Sequence, residues 1–251
     1  MKSAENIHNN AHLGLGDHAI LDRPSRLRKG EKIRDLLAKR RPLKNLSVLD
    51  VGTGSGQIAG LLLGEVGPNG EVCAVDRLDQ HNERGIDFKL TGTTDIPFED
   101  DRFDVVLSNH VIEHVGERES QINHLREIRR VLSDDGLMYL AVPNRRAIWE
   151  HHFNLPFLSW LPRPFASWIV RVTGKGTHYD CWLLTRSELD RLFSEADLIC
   201  EDITIEALRH MAKNEMGPAL RSAIGLCPDF LLKSVMPFIP RNVVLGRKNQ
   251  I

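Results

Sequence analysis

Val48-Leu49-Asp50-Val51-Gly52-Thr53-Gly54-Ser55-Gly56 is a short apolar, β-branched run that ends in an aspartate and three alternating glycines. A helical pattern, Gln57 to Leu63, follows at once, so the glycines sit where a strand meets a helix N-terminus. Three missing side chains let ligand atoms approach the backbone there, and the helix end presents unpaired N–H groups. Twenty residues after Gly56 a second strand-like run, Glu71-Val72-Cys73-Ala74-Val75, ends in Asp76. An acid at that separation is placed to accept hydrogen bonds from two ribose hydroxyls, so the turn reads as one for a nucleotide-like cofactor.

Outward from this turn, strand-like runs alternate with helical patterns, the signature of βαβ units and a mainly parallel sheet. Strands are expected near 47–51, 71–76, 86–90, 103–108 and 137–142, and the stretches 198–205 and 241–247 would close the sheet. Ser120 to Leu132 spaces Ile122, Leu125, Ile128 and Leu132 as one helical face, stopped by Ser133-Asp134-Asp135-Gly136. A later helix, Thr185 to Glu195, opens with a capping signal, Thr185 followed by Glu188, and would bury Leu189, Leu192 and Phe193. Residues 1–45 read as an N-terminal helical segment and 46–251 as the main domain. Two stretches, 144–180 and 207–240, are too long for ordinary connections and read as lid or binding insertions. The first carries Phe153, Phe157, Trp160, Phe165 and Trp168, the second Phe230, Leu231, Met236 and Phe238. They would pack on each other as a small core, or else form an apolar acceptor pocket or a membrane-facing patch.

The 251 residues suffice for one α/β domain with elaborations. With 33 basic and 34 acidic side chains there is no global field to attract nucleic acid, and the basic stretch Arg23 to Arg41 reads as a solvated helical face. Cys73, Cys181, Cys200 and Cys227 form no C-x-x-C pair, which argues against a zinc knuckle or a disulfide framework and for a reducing cytosol. Met1 to Asn10 is polar, unlike a signal peptide, and no apolar run reaches roughly 18 residues. A soluble, cytoplasmic protein, peripheral at most to the inner face of a membrane, is expected.

Two cofactors compete for the glycine turn. Gly54-Ser55-Gly56-Gln57-Ile58-Ala59 fits the relaxed dinucleotide pattern G-x-G-x-x-A of NAD enzymes. Read one step earlier as D-x-G-x-G-x-G, the turn resembles motif I of the class I S-adenosylmethionine-dependent methyltransferases. Further matches follow in order: Ile96-Pro97-Phe98-Glu99-Asp100-Asp101-Arg102-Phe103-Asp104 leading into a fourth strand, then Arg129-Arg130-Val131-Leu132, Gly136 and Val142-Pro143-Asn144. Together they cover roughly residues 46 to 144 and are most similar to small-molecule methyltransferases that include the ubiquinone-pathway O-methyltransferases. The resemblance implies a Rossmann-like α/β fold, a seven-stranded mostly parallel sheet with its last strand antiparallel, and helical insertions capping the active site. It implies S-adenosyl-L-methionine as cofactor, with contacts at Asp50, Gly52, Gly54, Gly56, Asp76, Arg77, Thr93 and Asn109. Asp50 would face the ammonium of the methionine end. Many relatives place an acid just before the Ile-Pro-Phe triplet to read the adenine amino group; here that place is Gly92-Thr93-Thr94, so a threonine hydroxyl, Asp95 or backbone groups would take over.

His110-Val111-Ile112-Glu113-His114 matches the H-x-x-E-H zinc motif of inverzincin peptidases. It follows a strand directly, however, which is where open α/β sheets bind ligands, and the resemblance places a methyltransferase loop there. Methyl transfer to an alcohol needs a base with a pKa near neutrality, so the candidate catalytic residues are His110, His114 and His178, the last with Asp180 to orient it. The other histidines read as surface or lid residues, and no resident metal is expected. The anticipated reaction is methyl transfer to oxygen. Similarity of the insertions to methyltransferases of bacterial polysaccharide pathways suggests a sugar hydroxyl of a glycan or lipid-linked glycan. The alternatives are a quinone precursor or other aromatic acceptor, or a non-catalytic accessory subunit that docks to a partner enzyme. The expected partners are a small-molecule or glycan acceptor, a carrier lipid or membrane surface, no nucleic acid, and a second copy in a homodimer.

Overall fold

A computed structural model describes residues 23–249. In chain order its strands are β1 (Ser47–Val51), β2 (Glu71–Asp76), β3 (Asp87–Leu90), β4 (Phe103–Asn109), β5 (Leu132–Pro143), β6 (Trp149–Glu150), β7 (Leu155–Pro156), β8 (Leu198–Asp202) and β9 (Arg241–Lys248). The α-helices are α1 (Arg23–Ala38), α2 (Gln57–Val66), α3 (Arg118–Val131), α4 (Arg163–Val172), α5 (Arg186–Glu195), α6 (Thr204–Glu215), α7 (Pro218–Leu226) and α8 (Asp229–Val235). Seven strands form one sheet in the order β3-β2-β1-β4-β5-β9-β8, all parallel except β9, which runs antiparallel to both of its neighbours. The order reverses between β1 and β4, and in open α/β sheets the ligand crevice lies at such a switch point, beyond the carboxyl ends of the strands.

Period-two alternation along the strands makes both faces apolar. Leu49, Val51, Val106, Met138, Leu140 and Val244 pack with Ile122, Leu125 and Ile128 of α3 and Leu189, Leu192 and Phe193 of α5. On the other face Val48, Val105, Leu107, Tyr139, Ala141 and Val243 meet Ile33, Leu36 and Leu37 of α1 and Ile58 and Leu62 of α2. Each such leucine or isoleucine taken from water contributes about 1.5–3 kcal/mol, which is what presses the helices onto the sheet. At the start of α5 the Thr185 side chain accepts from the Glu188 N–H while the Glu188 carboxylate accepts from the Thr185 N–H, the capping box that the sequence predicts.

Some expected boundaries move. The helix expected over 120–132 is α3, and it ends at Val131 because Leu132 already pairs with Phe103 as the first residue of a longer β5. The β-branched run Ile203-Thr204-Ile205 does not extend the strand expected over 198–205. Asp202 Oδ1 accepts from the Thr204 N–H at 2.8 Å and turns the chain into α6, while the Ile203 N–H donates to the Val243 carbonyl at 3.0 Å. The basic N-terminal helix is not only a solvated face: α1 buries Lys32 beside its apolar residues and turns Arg26 inward.

The two insertions do not share a core. Phe153, Leu158, Ala166, Val170, Tyr179, Cys181 and Leu183 make a separate apolar cluster within and just after the first insertion. The second continues α6 into α7 and α8, with Leu226 at 84% and Phe230 at 67% exposure. Trp149, Phe157, Trp160, Phe165 and Trp168 of the first are exposed as well. No described helix is long and apolar enough to cross a membrane.

Candidate functional site

Gly52, Gly54 and Gly56 all have positive φ, at 72°, 59° and 78°, a conformation that costs a residue with a Cβ roughly 1–2 kcal/mol. Close approach adds to this at Gly52, where a Cβ would lie 2.4 Å from Val111 Cγ2. The turns that leave β1 and β4 therefore touch at the switch point only because Gly52 lacks a side chain. The Gly52 N–H donates to the Val75 carbonyl at 2.8 Å, tying the turn to β2. At the end of β2, Asp76 Oδ2 accepts from the Gly54 N–H at 2.7 Å, and Oδ1 from the N–H groups of Arg77 at 2.6 Å and Leu78 at 3.2 Å. A half-buried carboxylate aimed over the glycine turn suits a ribose diol, which offers two O–H donors to an acceptor-only group. Arg77 itself is exposed and takes part here through its backbone.

Asp50 is 2% exposed, and burial pushes its pKa up to about 6 against the Thr53 hydroxyl, which donates to Oδ2 at 2.7 Å, and the nearby Arg26 charge. Arg26 reaches from α1 over the turn: its Nη1 donates to the Thr53 carbonyl at 3.4 Å, and Nη2 lies 2.9 Å from where a Gly54 Cβ would be. A guanidinium and a carboxylate at one end of the turn match the carboxylate and ammonium of an amino-acid tail. A ribose acceptor at the other end completes a cradle that fits S-adenosylmethionine. A sequence search for glycines and acids passes over Arg26 because it lies in a helix whose charges look solvated. Thr93 lies after β3 on the same edge, exposed, with its hydroxyl donating to Asp95 Oδ2 at 3.0 Å and accepting from the Asp95 N–H at 3.1 Å.

Beyond Asn109, the last residue of β4, His110 takes φ +61°. A left-handed histidine is uncommon and is held here by its N–H donating to the Ala141 carbonyl at 2.8 Å. Its Nδ1 lies 3.3 Å from Glu113 Oε1, and the same oxygen lies 3.7 Å from His152 Nε2. His152 Nδ1 is 2.8 Å from Glu150 Oε1, and Glu150 Oε2 accepts from the Phe153 N–H at 2.8 Å. The result is a partly buried line, His110–Glu113–His152–Glu150. Burial, then the charges of Arg241 and Lys29, hold the His110 pKa well below its ordinary value, so the ring is neutral at pH 7. Burial raises Glu113, which is 0% exposed, to about 7. Burial works to lower His152, but the hydrogen bond with Glu150 and the Glu113 charge outweigh it and leave the pKa raised. Burial thus leaves a neutral imidazole facing a carboxyl group that holds its proton more tightly than usual, with a readily protonated His152 on the other side of it. Neither Glu113 oxygen makes a hydrogen bond among the described residues, so its contacts along the line are electrostatic.

The structure redistributes the histidine candidates. His110 is in the line, and His114 lies beside it, its ring edge-on to His152 at 5.0 Å between centroids. His178 is on an exposed loop, bonded to the Thr177 hydroxyl at 3.0 Å, while Asp180 accepts from Cys181 Sγ at 3.6 Å. The H-x-x-E-H stretch does not carry its histidines on one helix, since only Ile112–His114 form a single 3-10 turn and His110 precedes it in the left-handed region. His114, His152 and Cys181 do offer ligand atoms all within 4.8 Å of one another, a donor set that suits zinc. Four histidines read as surface or lid residues have structural or site partners. His152 belongs to the line, His124 is buried against the Ser108 hydroxyl at 2.9 Å, and His210 Nε2 is 2.8 Å from Asp35 Oδ2, tying α6 to α1. His81 pairs with Asp79 at 2.7 Å and stacks on Phe88 at 4.4 Å. His8, His12 and His18 lie outside the described residues.

Residues 22–202 match the family described as a methyltransferase domain. Among curated proteins, a ubiquinone biosynthesis O-methyltransferase of Cereibacter sphaeroides is 31% identical over 164 residues, 62% of each chain. Another, of Bartonella tribocorum, is 29% identical over 176 residues, 65% of each chain. The chain thus spans less than two thirds of the length of these relatives. Solved structures share the fold at low identity. A 1,6-didemethyltoxoflavin-N1-methyltransferase of Burkholderia thailandensis, solved with S-adenosylhomocysteine, has a TM-score of 0.51 at 16% identity, covering 98% of this chain and 87% of that one. The cyclase SpnF also has a TM-score of 0.51, at 17% identity over 86% of this chain and 80% of its own, so the sheet by itself does not specify methyl transfer. The family match covers more than half of the chain and falls on this sheet and this glycine turn: the chain belongs to the methyltransferase-domain family, within the class I S-adenosylmethionine-dependent methyltransferases.

Proposed function

We propose that the protein methylates an oxygen nucleophile, a phenol-type hydroxyl on an apolar acceptor of the quinone-precursor kind. The observation that carries this reading is the line from His110 to Glu150 at the carboxyl end of β4, beside the cofactor cradle. The O-methyltransferase names of the curated relatives support it. S-adenosylmethionine supplies, when bound, a methyl group already activated on a sulfonium. What remains for the protein is to orient the acceptor and take its proton. With His110 Nδ1 turned to Glu113, Nε2 is the atom left to receive that proton, and the Glu113 carboxylate stabilises the imidazolium. His152, held by Glu150, steadies the charge on Glu113 in turn.

The depressed His110 pKa bears on the acceptor. Burial makes His110 a weaker base than the near-neutral one expected from the sequence, and a weaker base suits a phenol, which ionises near pH 10, better than the less acidic hydroxyl of a sugar. This favours the aromatic acceptor over the glycan. Incubation with S-adenosylmethionine and parallel panels of phenols and glycosides, read as S-adenosylhomocysteine formed, tests the choice. Turnover of phenols that falls about 10²–10⁴-fold in His110→Ala, with S-adenosylhomocysteine binding intact, is the expected result. Turnover of glycosides alone overturns it, and cofactor binding with no turnover on either panel points to an accessory subunit. The exposed Trp149, Phe157, Trp160, Phe165 and Trp168 suit a peripheral contact with a membrane surface, where a hydrophobic acceptor would partition. Co-sedimentation with lipid vesicles, reduced in Trp160→Ser with Trp168→Ser, checks that part.

A further inference from the structure

Lys32 is 7% exposed on the face of α1 that packs inward, and it lines a cavity of about 230 Å³ together with Arg241 at the start of β9. Among the described residues neither side chain makes an ion pair, and Arg241 Nε is buried without a hydrogen-bond partner. Burial first, then the charges of Arg241 and Lys29, lower the Lys32 amine to about 8, with Glu215 acting the other way, so at pH 7 most of it is still charged. A buried, mostly charged amine beside a second, half-exposed cation, offset only by the weaker influence of Glu215, is costly, and a fold keeps such a pair where a ligand supplies further negative charge. Apart from Thr204 and His151 the rest of the wall is apolar, with Ala207, Leu208 and Met211 from α6 and Ile239 and Pro240 just before β9.

The cavity lies two strands from the His110–Glu150 line. Val243 on its wall is the register partner of Ala141, whose own partner on β4 is Asn109 and whose carbonyl receives the His110 N–H. Two strand spacings, about 10 Å, separate that wall from β4. His151, also on the wall, is the chain neighbour of His152. We propose that the cavity is the acceptor's anion subsite: the molecule to be methylated is an organic anion, with a carboxylate or phosphate held between Lys32 and Arg241 and an apolar body laid against α6. This rests on the methyltransferase reading above and narrows the acceptor to a charged, apolar class.

The test is calorimetry on the protein saturated with S-adenosylhomocysteine. The probes are 4-hydroxybenzoate and phenyl phosphate, each compared with a neutral counterpart, 4-hydroxybenzamide and phenol. At least one anion should bind about tenfold or more tighter than its neutral counterpart, as expected for a charge-assisted contact out of water, and which anion does so tells carboxylate from phosphate. Lys32→Met and Arg241→Gln should each remove that preference and leave S-adenosylhomocysteine affinity unchanged. Lys32→Met should also raise the Tm of the free protein, because an unpaired buried charge gives way to a chain of similar volume. A lysine serving the fold would show the opposite. Arg241→Gln, at a half-exposed position, keeps the answer readable should Lys32→Met fold poorly. Neutral and anionic probes bound alike, no binding of either anion, or an anion preference unchanged in both variants would overturn the subsite. Loss of S-adenosylhomocysteine binding by the unmutated protein would instead overturn the cofactor assignment.

Discussion

Glu113→Gln separates stability from function in a way that can be worked out in advance. The carboxyl group is fully buried, and its pKa rises from 4.5 to about 7 on folding, chiefly by desolvation. Because the folded value lies above the unfolded one, folding favours the protonated form. That contribution is complete below about pH 4.5 and is lost as pH rises through 7. At about 1.4 kcal/mol per pH unit, the ionised carboxylate costs about 3 kcal/mol at pH 8.5. Glutamine has the shape of the neutral acid and never ionises. The variant should therefore equal the natural protein in stability near pH 5 and exceed it by about 2–3 kcal/mol at pH 8.5. Urea unfolding at the two pH values measures this directly. In the same variant methyl transfer should fall by at least about tenfold, since the imidazolium on His110 loses its counter-charge. A stability difference that does not change with pH, or a glutamine variant less stable at pH 8.5, would refute the assignment of Glu113 as a strained, desolvated acid.

Three further outcomes follow from the site. Gly52→Ala should destabilise the protein by about 2–4 kcal/mol, from positive φ together with the clash on Val111, and Val111→Ala in the same chain should restore about 1–2 kcal/mol; denaturant melts of the four combinations read the coupling. Asp76→Ala should weaken S-adenosylhomocysteine about tenfold or more in calorimetry while NAD binds neither protein, as a carboxylate accepting from the ribose requires. Dialysis against a chelator should leave methyl transfer unchanged, since the proposed base acts without a metal; activity lost on dialysis and restored by zinc would assign His114, His152 and Cys181 to a metal site instead.

Local chemistry explains why the sheet was legible. The strands β1, β2 and β4 are short apolar runs with turn residues after them, and the glycine turn declares both a strand end and a helix start. The capping box of α5 is equally local, since Thr185 and Glu188 satisfy each other three residues apart. Where a nonlocal contact decided the outcome, the boundary moved. Leu132 reads as helix by its spacing from Ile128, yet its pairing with Phe103 draws it into β5. Ile203-Thr204-Ile205 reads as strand by composition, yet the side chain of Asp202 turns it into a helix that the Val243 backbone then holds. Intrinsic propensity loses in both places to a hydrogen bond with a distant strand or a neighbouring cap.

The same division runs through the site. Asp50, the three glycines and Asp76 are readable because a tight turn before a helix constrains which residues can stand there. Arg26, Lys32 and His152 are not, because nothing in their own neighbourhoods marks them: two lie in a helix rich in exposed charge, and the third lies in a hairpin between β6 and β7. The fold gives each its place near a strand end, Arg26 over Gly54, Lys32 buried beside Arg241 and His152 beside Glu113. Desolvation is a property of the assembled fold, and it is the first cause of the altered proton affinities of Asp50, Glu113 and Lys32. The core of the cofactor cradle, Asp50 and the glycines, falls in one short stretch because a strand-to-helix turn fixes its own backbone locally. The groups proposed for the acceptor are collected from α1, the first insertion and the start of β9, and only the assembled fold brings them together.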